Sequence, residues 1–235
     1  MAKQHRSASA TWDRLNRRIV RCDRCPRLRE HCLTIAQEKR AAYRDWTCWG
    51  KPVPNLGDPR GRLLIVGLAP AAHGANRTGR MFTGDRSGDF LFAAMHAAGF
   101  ANQPTATDRD DGLMLQDIAV TAAAHCAPPA NKPTTEELAK CRDWFDQTVD
   151  LFTDLRGFVA LGRIGFDQIV KLYRDRDWLP AGPRPKFAHG AVHTITGRPF
   201  VMCSYHPSQQ NTFTGRLTLE MLTAVFTEAR RRLDG

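Results

Sequence analysis

The chain has 235 residues, 42% of them hydrophobic, which is enough to bury one sizeable core. No run of about 18 apolar residues occurs, and this excludes a helix that spans a bilayer. Lysine and arginine (34) exceed aspartate and glutamate (24), giving a net charge of +10. A basic surplus of this size favours a polyanionic partner such as nucleic acid, although a basic surface can also serve solubility alone.

The N-terminal segment is basic and lacks the apolar stretch of a signal peptide, so we expect none. We therefore expect a cytoplasmic protein in a reducing compartment, where disulfides are disfavoured. The seven cysteines are an odd number, which agrees with metal ligation or thiol reactivity rather than with a disulfide framework.

Strands alternate with helices along the chain, and a capping box formed by Thr134 and Glu137 marks the start of one helix. This alternation predicts an α/β protein with a mostly parallel sheet and helices on both faces. Ligands bind at the carboxyl ends of such strands, so the loops after Gly67, Ala123 and Cys203 should converge. The predicted helices cover 9–21, 87–98, 134–152, 163–174 and 217–233, and the predicted strands cover 62–67, 117–123, 158–161, 191–195 and 200–203.

Four cysteines have a spacing that suits a metal centre. Cys22 and Cys25 form a C-x2-C pair, and fourteen residues separate Cys126 from Cys141. Such thiolates could hold an iron–sulfur cluster or a tetrahedral zinc ion, and the lack of a second C-x2-C knuckle favours the cluster. The alternative is that they are ordinary buried thiols. We expect that alternative for the other three cysteines, Cys32, Cys48 and Cys203.

Three loops carry the most unusual sequences in the chain. The first reads G-L-A-P-A-A-H-G over 67–74 and continues as N-R-T-G-R-M-F-T-G-D over 76–85. The second runs from Thr121 into Cys126-Ala-Pro-Pro, and the third reads S-Y-H-P-S-Q-Q-N over 204–211. In this order, and together with the cysteine spacing, these motifs resemble the uracil-DNA glycosylases, specifically the family 5 (type b) enzymes. The resemblance extends over nearly the whole chain.

This resemblance implies a three-layer α/β/α fold with a short, mostly parallel central sheet. It implies one domain over 1–235, to which the N-terminal segment contributes two cluster cysteines. It also implies that a [4Fe–4S] cluster with a structural role is held by four ligands, Cys22, Cys25, Cys126 and Cys141.

The chemistry of base excision, in which the target nucleotide leaves the stack, suggests two catalytic residues. His206, in the H-P-S motif, can donate a hydrogen bond to O2 of a departing pyrimidine; alternatively it caps the turn at Pro207. Related families hold the attacking water with an acidic or amide residue in the first loop, and here Leu68, Ala69 and Ala71 supply none. The resemblance therefore points to Asp85 for this role, and the alternative is an N-cap for the helix that follows.

Further residues are candidates for substrate contact, each with a structural alternative. Phe82 could stack on the flipped base or belong to the core, and His73 could face DNA or pack its own loop. Ala122 stands where uracil-specific relatives have an asparagine that reads the base edge. The whole set of substrate-binding candidates is Gly67, Ala69, His73, Phe82, Ala122, Ser208, Gln209 and Asn211. Four basic residues are candidates for contact with DNA phosphates, and the alternative is that they are solvated surface charges. They are Arg77, Arg80, Lys132 and Arg216.

We expect a monomeric, monofunctional glycosylase that uses water as the nucleophile. Its expected substrate is double-stranded DNA containing uracil and other deaminated bases such as hypoxanthine and xanthine. Two rival interpretations are a nucleic-acid-binding module without catalysis and a radical iron–sulfur enzyme. The split cysteine pattern disfavours the second, because radical enzymes commonly use three closely spaced cysteines.

Overall fold

The computed structural model describes residues 2–235, with side chains from Ser9 onward. The helices are α1 (Ala2–Val20), α2 (Pro26–Glu38), α3 (Ala75–Thr78), α4 (Arg86–Ala97), α5 (Thr135–Asp150), α6 (Arg163–Asp175), α7 (Gln209–Phe213) and α8 (Leu219–Asp234). The strands are β1 (Leu56–Gly57), β2 (Leu63–Gly67), β3 (Ile118–Ala122), β4 (Gly157–Leu161), β5 (Val192–His193) and β6 (Phe200–Ser204).

The six strands form one sheet in the order β1-β3-β2-β4-β6-β5. The four central strands are parallel and every residue in them is buried, as expected for strands covered on both faces. The two outer strands, β1 and β5, are short and antiparallel to their neighbours. The prediction of a mostly parallel α/β sheet is confirmed.

Helices cover both faces of this sheet. On one face, Phe92 of α4 and Phe226 of α8 belong to the core cluster that includes Ile65 of β2. On the other face, Phe145 of α5 and Phe166 of α6 pack in a second cluster. The architecture is therefore the expected three layers. Within the described residues, no helix is long and apolar enough to cross a membrane.

The predicted capping box opens α5. The Thr134 hydroxyl accepts from the Glu137 amide, and the Glu137 carboxylate accepts from the Thr134 amide at 2.8 Å. The same carboxylate also accepts two bonds from the Arg27 guanidinium in α2, both at 2.7 Å. Glu137 therefore ties α2, which follows Cys25, to α5, which contains Cys141.

Helix α2 has no clear signal in the sequence. Only Leu28 and Cys32 are buried on this helix, so its apolar stripe is too narrow to give a clear helical period. Its start is marked instead by Pro26 at the first helical position, directly after Cys25.

Candidate active site

The carboxyl ends of β2 and β3 meet as predicted, because Gly67 and Ala122 are paired neighbours in the parallel register. Gly67 must remain without a side chain here. A Cβ atom added to it would lie 2.9 Å from Cζ of Phe82. The absent side chain therefore lets the Phe82 ring reach the end of the strand, beside the apolar Ala122.

Phe82 has an unusual backbone, with a φ of +52° in the left-handed region. A bulky residue in this conformation costs on the order of 1–3 kcal/mol, and such strain is concentrated at functional sites. The α4 helix starts tightly against it, since a Cβ on Gly88 would lie only 1.8 Å from the Phe82 carbonyl oxygen. This arrangement directs the Phe82 ring toward His206, and the two ring centroids are 5.9 Å apart with planes at 32°.

His206 lies in the loop after β6, next to the start of α6. Gly162 allows this approach, since an added Cβ would lie 3.2 Å from Cβ of His206. The Asn211 side-chain amide donates to the His206 carbonyl at 2.8 Å and fixes the loop. Burial lowers the pKa of His206 to about 4, so the imidazole is neutral near pH 7 and carries one N–H donor.

Asp85 is the N-cap of α4, where its Oδ1 accepts from the Gly88 amide at 3.0 Å, as one of the two interpretations predicted. Burial raises the pKa of this carboxyl, and the amides of Gly88 and Ser87 oppose the rise. Gly74, at the end of the first loop, lies against the carboxylate, because a Cβ there would overlap Oδ2. The carboxylate is thus partly buried between the first loop and α4.

Asp85 and His73 line one open cavity of about 460 Å³, a size that suits a nucleotide. Burial lowers the pKa of His73, and the charges of Arg40, Arg77 and His31 lower it further. The cavity is basic and aromatic in character. Its other lining residues are Arg40, Tyr43, Trp46, Arg77, Gly84, Arg86, Asp89, Ala106, Thr107 and Gln209.

The third loop continues directly into α7. The Ser208 hydroxyl caps this helix by accepting from the Asn211 amide at 3.4 Å, and Gln209 is exposed at its first turn. Ala69, in the first loop, is half-buried. DNA contact by these residues stays a prediction, and the structure adds a local structural role for Ser208 and Asn211.

Two of the candidate phosphate contacts are buried arginines, so the alternative of a solvated charge is wrong for both, and phosphate contact stays a prediction. Arg80 is 7% exposed and forms an ion pair with Asp111 at 2.6 Å. Arg77 is 5% exposed and contacts the rings of Tyr43 and Trp46. Neither is a solvated charge. This arrangement was not predicted from the sequence, where the only signal is three aromatic residues, Tyr43, Trp46 and Trp49, within residues 39–50.

A second cavity is lined by all four of the predicted cluster cysteines, Cys22, Cys25, Cys126 and Cys141. Polar hydrogens point at two of the sulfurs. Trp144 Nε1 donates to Cys22 Sγ at 3.4 Å, and the amide of His125 donates to Cys141 Sγ at 3.4 Å. Among the described residues, no group of three or more His, Cys, Asp and Glu side chains is arranged to hold a metal ion.

The remaining cysteines differ from one another. Cys203 and Cys32 are fully buried, as expected. Cys32 is also a neighbour of the second cavity. The pKa of the Cys126 thiol is raised chiefly by a hydrogen bond with Cys32 and further by burial. Cys48 is only half-buried, so the expectation of an ordinary buried thiol is wrong for it. It lies in the segment after α2.

Comparison with known proteins gives one family. A sequence model of the uracil DNA glycosylase superfamily matches residues 54–230, which include β1 to β6 and all three motif loops. This chain belongs to the uracil-DNA glycosylase superfamily. The family assignment made from the loop motifs is therefore confirmed.

Curated members of the superfamily from distant organisms align with most of this chain. A protein of Mycobacterium leprae named type-5 uracil-DNA glycosylase is 47% identical over 218 residues, covering 92% of this chain and 93% of that protein. Proteins with the same name from Thermus thermophilus and Pyrobaculum aerophilum are 45% and 42% identical, and each alignment covers more than nine-tenths of both chains.

Proposed function

We propose that this chain is a monofunctional uracil-DNA glycosylase that acts on double-stranded DNA and hydrolyses the N-glycosidic bond of uracil and other deaminated bases. Its place in the superfamily and its similarity to proteins named type-5 uracil-DNA glycosylase support the reaction class. The net charge of +10 supports a polyanionic substrate.

The observation that carries the proposal is the pair of rings at the strand ends. Phe82 and His206 come from different loops, yet their centroids are 5.9 Å apart beside the end of β2. An aromatic ring supplies a stacking surface for an extruded base, worth about 1–3 kcal/mol. A neutral imidazole next to it supplies a hydrogen-bond donor. Together they suit a base that leaves its sugar as an anion.

In the proposed reaction the bond between the base nitrogen and C1′ breaks, and its electron pair goes to the base. His206 donates a hydrogen bond from its ring N–H to O2 of the departing base and so stabilises the anion. A water oxygen bonds to C1′, and the Asp85 carboxylate holds this water and accepts its proton. The raised pKa of Asp85 makes it a stronger base than an exposed aspartate.

The wall of the site at Ala122 has no hydrogen-bonding side chain. Ala122 is 1% exposed and ends β3. A site that pairs with one base edge rejects other bases strongly, whereas an apolar wall carries no such penalty. We therefore infer that hypoxanthine and xanthine are removed at rates within about a hundredfold of uracil, which is the discrimination a pocket without polar readout reaches.

The use of water rather than an amine as nucleophile agrees with the residues around Asp85. The described residues that line its cavity include no lysine. A glycosylase with an amine nucleophile forms a Schiff base with the sugar, which borohydride reduces to a stable protein–DNA adduct. We expect no such adduct when this protein is treated with borohydride during turnover.

We further propose that the four-cysteine cavity holds a [4Fe–4S] cluster through Cys22, Cys25, Cys126 and Cys141. The donor set fits this group, since four soft sulfur ligands with no carboxylate are typical of iron–sulfur or zinc sites. Burial raises the pKa of Cys141 to about 12, so a bound cation would be needed to keep this sulfur as a thiolate. When bound, the cluster would link the N-terminal segment covalently to α5. Its role would be structural, because the proposed hydrolysis needs no electron transfer.

The test of the function is a single-turnover assay on duplexes that contain uracil, hypoxanthine or xanthine, with strand scission by alkali. The same duplex with thymine at the target position is the control. His206→Ala should lower the rate of the bound complex by roughly 10²–10³-fold, as loss of an oxyanion donor does, with little change in DNA affinity. A loss of affinity with an unchanged bound-state rate would overturn the assigned role of His206.

A further inference from the structure

Arg77, in the short helix α3, is held in a corner of two aromatic rings. Its guanidinium carbon lies 4.0 Å from the ring centroids of both Tyr43 and Trp46. The two rings are 6.2 Å apart and stand at 81° to each other, so they enclose the cation on two sides. Both rings belong to residues 39–50, the segment after α2, which we call the strap.

The same guanidinium joins the two segments on either side of α3, which contain His73 and Asp85. Arg77 Nε donates to the carbonyl of His73 at 2.9 Å, and Nη2 donates to the carbonyl of Gly84 at 2.8 Å. His73 is in the first loop, and Gly84 directly precedes Asp85. One planar group therefore fixes the distance between the backbone at His73 and the backbone at Asp85.

The strap is itself fixed to α3 by backbone hydrogen bonds. Trp49 N donates to the Arg77 carbonyl at 2.8 Å, and Gly50 N donates to the Asn76 carbonyl at 3.0 Å. On the other side, the Asn76 side-chain Nδ2 donates to the Cys32 carbonyl in α2 at 3.2 Å. The contacts are thus continuous from the helix that follows Cys25 to the two loops of the site.

Stability alone does not account for an arginine at this position. Its Nη1 atom is buried and has no hydrogen-bond partner among the described residues. An unpartnered buried donor costs about 1–3 kcal/mol, which a methionine packed against the same rings would avoid. Only arginine, however, can donate to two carbonyls from one plane and add a positive charge beside the site.

We propose that Arg77, held by Tyr43 and Trp46 of the strap, is a positioning residue that sets the placement of Asp85 relative to the first loop. This inference rests on the proposed function in that it takes Asp85 to hold the attacking water. It extends that function because it makes the strap part of the support of the active site.

The charge of Arg77 should also affect the pH dependence of the rate. Burial raises the pKa of Asp85, and the positive charge of Arg77 is among the influences that lower it. Removal of this charge should therefore raise the pKa of Asp85 and move the acid limb of the rate profile to higher pH. The charged or titratable groups that share the cavity with Asp85 are Arg86 and Asp89 in α4, Arg77 in α3, His73 in the first loop, and Arg40 and Tyr43 in the strap.

The experiment compares Arg77→Met, Arg77→Lys and Trp46→Leu in single-turnover kinetics at saturating uracil duplex, from pH 5 to 9. We expect Arg77→Met to lower the bound-state rate by roughly 10–100-fold, as small misplacements of reacting groups do, with DNA affinity within about threefold of wild type. Arg77→Lys keeps the positive charge but cannot donate to both carbonyls from one planar group. Its bound-state rate should fall, while the acid limb of its pH–rate profile should stay at the wild-type pH. Trp46→Leu should behave like Arg77→Lys.

Arg109→Met is the matched control. Arg109 also lies over an aromatic ring, 4.3 Å from the centroid of Trp49, and donates to a backbone carbonyl, that of Thr78, at 3.1 Å. Its guanidinium donates to Thr78 in α3 and to neither His73 nor Gly84, the two carbonyls that Arg77 joins, so the rate should stay near wild type. Circular dichroism verifies the fold of each variant. If Arg77→Met does not fold, Arg77→Lys and Trp46→Leu still test the inference.

A wild-type bound-state rate in both Arg77→Lys and Trp46→Leu would overturn the inference. A loss confined to DNA affinity would also overturn it, because Arg77 would then act in binding. Asp85→Asn separates this inference from the proposed function. If Asp85→Asn has the wild-type rate, the water-holding role of Asp85 fails. If it is inactive and the Arg77 variants are unaffected, only the positioning role of Arg77 fails.

Discussion

The neutral state of His206 predicts a specific dependence of stability on pH. Burial lowers its pKa from 6.5 to about 4, so the folded protein binds this proton less readily than the unfolded chain. A group of this kind stabilises the fold fully above its unfolded pKa, and the contribution is lost as the pH falls from 6.5 toward 4. His206→Gln removes the titration and should flatten this part of the curve.

The magnitude follows from the two pKa values. At about 1.4 kcal/mol per pKa unit, the full difference corresponds to about 3 kcal/mol, reached only below pH 4. Between pH 8 and pH 5, the wild-type protein should lose about 2 kcal/mol more unfolding free energy than His206→Gln. The comparison cancels other titrating groups, such as the buried His125, because both proteins contain them.

Urea unfolding at pH 8 and pH 5, under anaerobic conditions, measures this difference. Gln209→Ala, which changes an exposed neutral residue near the same loop, should leave the pH dependence of wild type unchanged. Identical pH dependence in wild type and His206→Gln would refute the reasoning. His206 would then be protonated as readily in the fold as in water, and a neutral donor could not be assumed at pH 6.

Three further predictions use the same structure. Gly67→Ala places a Cβ 2.9 Å from the Phe82 ring and should lower the single-turnover rate at least tenfold, and a wild-type rate would show that the ring position is unimportant. Thr134→Ala removes half of the capping box and should lower the unfolding free energy by about 1 kcal/mol in urea titration. Wild-type protein should contain about four iron atoms per chain by elemental analysis. Cys126→Ala should lose this iron and Cys203→Ala should keep it, whereas zinc in the wild type would contradict the cluster.

Much of the fold could be predicted because the strongest local patterns coincide with the core. The apolar run before Gly67 forms β2, a central strand, and the Thr134 capping box starts α5 at the expected residue. The pairing of Gly67 with Ala122 follows from the rule that parallel strands end at one edge. These features depend on short-range patterns and general topology.

The parts that could not be predicted depend on tertiary contacts. The left-handed backbone of Phe82 contradicts its local preference and exists because Gly67 and Gly88 leave room around it. The burial of Arg77 has the same origin, since the rings that enclose it come from a strap with no periodic pattern. Sequence motifs identified the residues of the candidate site but gave no indication of this support.

The cysteine cavity has a consequence for how the protein is made. Cys22 and Cys25 leave the ribosome roughly a hundred residues before Cys126, and β2 and β3 are synthesised in between. A nascent chain therefore presents the first two thiols without the other two until α5 has been translated. Delivery of the proposed cluster would follow translation of α5, and slow translation across residues 26–140 would extend the period in which the first pair is open to oxidation.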